Sequence, residues 1–305
     1  MRSLFLTALA CIVVAVAVNS SVHAASITPF DVYQKTEALR HVLESRNLID
    51  TESYRSEPDD EELRHPRHVI QKVRECHMML SKILRAEEVS ITPLPDLISV
   101  REVRPADVLS GVNSLIKSVN ALGANTEYKQ PLTETQVPRD DVLPVDVYNN
   151  LKRICRSVKT QIEPSDVYQV AVAVNQNLDK VVEGRGYEFK TEYHVFENKI
   201  PADVYAKTKE FLKDLRQLAL NPDFAIPGGV VFSRDILMAD ILPQDVMGLM
   251  NDAVSETQAI KYTLNIREQA KFPPHTAGKK PSDVFSQIER AHRVVKALLE
   301  REGLE

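Results

Sequence analysis

One word recurs through the chain: "PFDVYQ", "PVDVYN", "PSDVYQ", "PADVYA" and "PSDVFS" are versions of it. The prolines that head the pattern are Pro29, Pro66, Pro105, Pro144, Pro164, Pro201, Pro243 and Pro281, at intervals of 37, 39, 39, 20, 37, 42 and 38 residues. The third residue after each proline is valine in all eight units: Val32, Val69, Val108, Val147, Val167, Val204, Val246 and Val284. The second is aspartate in seven, namely Asp31, Asp107, Asp146, Asp166, Asp203, Asp245 and Asp283, and His68 is the exception. Apolar residues continue the pattern in steps of three and four, as in Val69, Val73, Cys76 and Leu80. That step is the stripe of an amphipathic helix packed in a bundle, so each unit predicts one helix of about 18 residues.

The word itself reads as a helix start. Proline suits the first helical position, where its fixed φ is already helical and its missing N–H has no partner to lose. An aspartate two residues later can reach back to a free backbone amide, and its charge favours the positive end of the helix dipole. The single 20-residue interval divides the chain into two sets of four units, which reads as an internal duplication. The expected fold is all-α: a first four-helix unit over 25–162 and a second over 163–305, with a continuous eight-unit solenoid as the alternative. Only 9 glycines and no tryptophan fit a helical protein. Most linkers run about 18 residues and mix proline with apolar residues, so they are expected to be ordered, with a short extra helix near 58–64 or 233–241. Linkers of that length could carry the chain back along a helix, making successive helices parallel and gathering the four motif ends of each set.

The first 24 residues read as a signal peptide: Arg2, an apolar run from Leu4 to Val18, then Val22 and Ala24 at small-x-small spacing. No later stretch is apolar enough to span a bilayer. The expectation is a soluble chain, periplasmic or secreted.

Cys76 and Cys155 fall at nearly equal depth in the second and fourth units, a disulfide candidate in an oxidising compartment. His65, His68, Cys76 and His77 cluster in sequence, but the proline between the first two starts a helix, and the spacing does not make a zinc site. The acidic run 56–63 lacks the alternation and glycine of a calcium loop. "AIPGGVVF" at 225–232 is the only diglycine, expected as an extended segment laid across the second set or as a docking strand. Neither cysteine has the histidine and acid of a nucleophile's surroundings.

If the motif ends gather, Tyr33, Tyr148, Tyr168 and Tyr205 could form an aromatic rim for a ligand. With 43 acidic against 38 basic residues the chain is not suited to nucleic acid. GxGxxG, P-loop and GxSxG patterns are absent, and no residue set presents nucleophile, base and orienting group together, so neither an enzyme nor a cofactor is expected. The leading expectation is a non-enzymatic interaction or scaffold protein of the cell envelope, partnered by an envelope protein. The alternative is a periplasmic binder of a small apolar ligand or lipid, held in a bundle interior or in the groove between the halves.

Overall fold

The structure, a computed structural model, describes residues 26–90, 101–122, 141–188, 193–232, 241–268 and 270–304. The expected signal peptide and residues 233–240 of the second extra-helix segment lie outside the described residues. Among the described residues there are nine helices and no strand beyond a single bridge, Ile49 to Val158. No described helix is long and apolar enough to cross a membrane.

Eight helices begin at the motif prolines: α1 (Pro29–Ser45), α3 (Pro66–Ala86), α4 (Pro105–Ala121), α5 (Pro144–Ser157), α6 (Pro164–Gly184), α7 (Pro201–Leu218), α8 (Pro243–Thr263) and α9 (Pro281–Glu302). At seven of these starts the motif aspartate accepts the N–H of the residue before proline, from 2.6 Å at Asp146 to 3.0 Å at Asp203. In the eighth, His68 Nδ1 accepts from His65 N–H at 2.9 Å, so the ring nitrogen replaces the carboxylate. Only Thr28 adds the reciprocal arm, its Oγ1 accepting from Asp31 N–H at 3.4 Å. The eight motif valines are all 2 % exposed or less. Each adds roughly 1.5–3 kcal/mol of burial.

The ninth helix, α2 (Thr51–Ser56), corrects one expectation: it precedes 58–64, and that segment is not helical. Asp50 starts α2 by accepting from Glu52 N–H and Ser53 N–H. Pro58 stops it, because the residue before a proline is driven out of the helical region, and Glu57 is extended at ψ 121°.

The linkers set the helix directions. Residues 50–60 run back along α5, from Asp50 N–H on Ser157 O to Asp60 N–H on Asn149 Oδ1. Residues 196–199 run back along α9 through Ser286 and Ser282, and 271–279 run back along α6 from Gln176 to Ser165. Each of these three stretches thus returns the chain to the end where the previous helix began. Accordingly Pro29, Pro66, Pro105 and Pro144, with their valines, line one shallow apolar dimple, and the four prolines and valines of α6 to α9 line another.

Helices within a set are therefore parallel, and both sets pack in matching cyclic order, α1-α4-α3-α5 and α6-α8-α7-α9. Parallel helices align their dipoles unfavourably, and the carboxylates at the starts offset this. The connection after α5 is only six residues and stays at the C-terminal end of the first set, where Lys159 N–H donates to Leu48 O and Lys82 Nζ to Gln161 O. Helix α6 starts there, so the second set runs opposite to the first. The sets meet where α3 and α8 cross antiparallel, with Met79 near Gln244, Glu75 at Asn251 and His68 at Glu256.

Candidate functional site

The α3/α8 seam is polar although it is buried. His68 Nε2 lies 2.7 Å from Glu256 Oε1, with both side chains fully buried. Because Nδ1 accepts from His65 N–H, the ring proton sits on Nε2 and is donated to the carboxylate. Glu256 also takes Arg67 at 3.2 Å and Val231 N–H at 2.9 Å. Burial would raise its pKa, but His68, Arg67 and that amide together hold it below the usual carboxylate range. A few ångströms on, Arg64 bridges Asp252 at 2.9 Å and Asp60, and its guanidinium stacks 4.3 Å above the Tyr148 ring.

Beside this network the two sets leave a cleft of about 440 Å³. Helix α5 contributes Tyr148, Lys152 and Arg156, α3 contributes Lys72, the 57–61 loop its acids, α7 Tyr205, and α8 Asp245, Gly248 and Leu249. Lys72 bonds Glu75 at 2.6 Å with its ammonium 5.3 Å from the Tyr148 ring. Burial works against that ammonium, yet Glu75 and Tyr148 keep its pKa above the ordinary value. Tyr148 is 2 % exposed, and burial raises its phenol pKa, leaving a protonated donor. Among the described residues its hydroxyl makes no hydrogen bond.

Gly248 is the unusual residue of the lining. A glycine inside a helix costs about 0.5–1 kcal/mol relative to alanine. Gly111 on α4 has a packing reason, since a Cβ there would lie 2.9 Å from Val73, but a Cβ on Gly248 would meet nothing within 4 Å. That side of α8 faces open space in the cleft.

The structure places the expected tyrosines in different surroundings. Tyr148 and Tyr205 both line the cleft, although they belong to different sets. Tyr33 on α1 is half-buried near Glu37 and near Tyr54 of α2, and Tyr168 takes a bond from Gln287 at 3.2 Å with Lys279 over its ring. A single four-tyrosine rim does not form, because the two sets point their motif ends in opposite directions. Of the motif aspartates, Asp245 alone also lines the cleft, sharing its carboxylate between Leu242 N–H and Arg156. Asp166 ion-pairs with Lys82 at 2.7 Å.

Cys76 and Cys155 are joined by a disulfide between α3 and α5, with Cα atoms 5.1 Å apart. This bridge occupies Cys76, while His68 and His77 turn to Glu256 and Ser81. Among the described residues no group of three or more His, Cys, Asp or Glu side chains is arranged to hold a metal ion. The acidic run is engaged by bases, with Lys152 on Glu57 and Arg153 on Asp59. The diglycine segment lies across both sets: Arg67 of α3 donates to Pro227 O and Gly229 O, and Val231 N–H reaches Glu256 of α8.

Sequence reasoning missed Arg64, Lys72, Gly248, Asp252 and Glu256, which lie off the motif on faces read as solvated. One signal did point there: His68, the only break in the aspartate series, reaches across the seam to Glu256. No family model, no curated protein and no solved structure matches this chain.

Proposed function

We propose that this chain is an exported, non-enzymatic binding protein, built by duplication of a parallel four-helix unit, that holds a small ligand between its two units. The observation that carries this is the cleft of about 440 Å³, lined by Tyr148 and Tyr205, the same motif position in different sets, and by a helix glycine with no packing role. Its volume lies within the ordinary range of small-molecule pockets. Duplication is supported by the matching order of helix contacts and by the two equivalent Pro/Val dimples. Export is supported by the signal-like first 24 residues and by the disulfide.

The test is native mass spectrometry of untagged protein recovered from its host's envelope, alongside a Gly248→Phe variant that fills the cleft. Retained mass of a few hundred daltons on the parent and none on the variant is expected. A parent without bound mass, or a variant that keeps it, would sink the reading.

A scaffold role is favoured by a different observation. Leu143, Ile200 and Leu242 sit at N-cap positions, where Ser, Thr, Asp or Asn would stabilise the helix, and are 57 %, 58 % and 58 % exposed beside the dimples. Replacing all three by serine should abolish any crosslinked envelope partner if these ends dock it, and should leave crosslinking unchanged if they do not.

A further inference from the structure

The chemical class of the cleft's ligand follows from how its charges are already engaged, an inference that rests on the cleft being the binding site. Lys152 is held by Glu57 at 3.1 Å and by the Pro58 carbonyl at 2.8 Å. Arg156 is paired with Asp245, Lys72 with Glu75, and Asp60 with Arg64. Asp59 takes Arg153, and Glu61 is also engaged, so no charged side chain of the lining stands alone. A charged ligand would have to displace one member of such a pair and strand the other in a partly dry site. Breaking the buried Lys72–Glu75 or Arg64–Asp60 pair in that way costs several kcal/mol, and the part-exposed Lys152–Glu57 and Arg156–Asp245 pairs less.

The pairs nevertheless leave hydrogen-bonding capacity of both kinds. An ammonium has three donors and an ionised carboxylate about four acceptor positions. Lys72 directs one donor to Glu75, and Asp245 uses one oxygen for Leu242 N–H and the other for Arg156. Tyr148 adds a hydroxyl with no bond among the described residues. Donors and acceptors interleaved in one wall are matched by hydroxyl groups, each of which both gives and accepts. An apolar molecule would leave them all unanswered.

We propose that the cleft takes a neutral polyhydroxyl ligand, a mono- or disaccharide, rather than an ion, a lipid or an apolar molecule. The volume of about 440 Å³ admits roughly one or two sugar rings. Gly248 leaves the face of α8 open for a ring to lie against the backbone, and Tyr148 and Tyr205 supply the aromatic edge.

The experiment is calorimetric titration of the mature protein with three probes that share one ring: glucose, glucosamine and glucuronate, with maltose as the longer neutral probe and octanoate as the lipid-like, fatty-acid one. A neutral sugar is expected to bind at least tenfold more tightly than either charged analogue, with little dependence on salt. Gly248→Phe should abolish that binding, Gly248→Ala should keep it, and Tyr148→Phe should weaken it at least tenfold with an unchanged melting temperature. Tighter binding of a charged analogue or of octanoate, sensitive to Gly248→Phe, would overturn the sugar assignment and leave the cleft reading standing. Sugar binding that survives Gly248→Phe would place the sugar elsewhere and overturn the proposal. If no probe binds, mass retained by the native parent and lost by Gly248→Phe decides: a hexose composition supports the assignment and any other refutes it. No probe bound and no retained mass would refute both.

Discussion

Histidine 68 caps its helix with Nδ1 and so frees Nε2 to bond a carboxylate of the opposite set, which an aspartate at that position could not do. Restoring the consensus makes the point testable. His68→Asp keeps an acceptor for His65 N–H but sets a second carboxylate beside the buried Glu256. Two like charges there, with the cross-seam bond gone, should cost about 3–5 kcal/mol in urea denaturation. A loss below about 1 kcal/mol would mean that His68 acts only as a cap. Lys261 offers a prediction in pH. It is fully buried and donates to Asn177 Oδ1 and Glu268 O; burial, opposed by Glu268, lowers its pKa to about 8. An unfolded lysine titrates near 10.4, so below pH ~8 both states are charged and the full burial penalty applies. Between pH ~8 and ~10.4 the unfolded state binds more protons, and stability rises with pH. Lys261→Met should therefore be favoured most below pH 8, with its advantage shrinking toward pH 10.4. An advantage independent of pH would show that the folded ammonium titrates normally.

Among the elements, the eight starts were the most legible part of the sequence, because proline, aspartate and valine each answer a local demand of a helix N-terminus. The helix directions were legible only as a possibility, since they depend on linkers whose path is fixed by side chains such as Asn149, Gln176 and Ser282 on the neighbouring helix. Helix α8 was least legible: Asn251, Asp252, Ser255, Glu256 and Lys261 are buried on the faces that an amphipathic reading assigns to solvent. A helix wedged between its own set and α3 keeps little solvent face, and many of its polar residues are matched to partners far away in sequence, which periodicity cannot reveal. The disulfide, by contrast, follows from parallel directions, because equal depth from two gathered starts brings Cys76 to Cys155. It joins residues separated by 79 positions. Closing a loop of that length should stabilise the fold by about 4 kcal/mol. The Cys76→Ala/Cys155→Ala pair should lose that amount in guanidinium denaturation, and a loss under about 1 kcal/mol would indicate that the reduced chain already holds α3 against α5.

At the scale of the whole molecule, the short connection after α5 reverses the second set and makes an antiparallel seam, so the cleft exists because the two sets meet side by side rather than end to end. The α3/α8 seam carries several charge pairs and polar contacts in addition to apolar packing. Its cohesion should therefore be separable from the stability of each set. Within the second set, α8 is tied by contacts that do not touch the seam, including Asn177 to Thr257 and Thr208 to Met250, and Met247 and Ala253 are fully buried. Removing Asp252 and Glu256 together leaves the Arg64 guanidinium with Asp60 alone, the Arg67 guanidinium with only the Pro227 and Gly229 carbonyls, and the His68 N–H without its cross-seam partner, a penalty of several kcal/mol borne by the seam. The parent should unfold in one calorimetric transition, because separating the sets exposes these groups at the same time as the cores. Asp252→Ala/Glu256→Ala should split that transition into two, each with the enthalpy of about half the chain, and should release the cleft's ligand before either set melts. A single transition at lower temperature would instead mean that neither set is stable without the other, and that the seam belongs to the core of one indivisible fold.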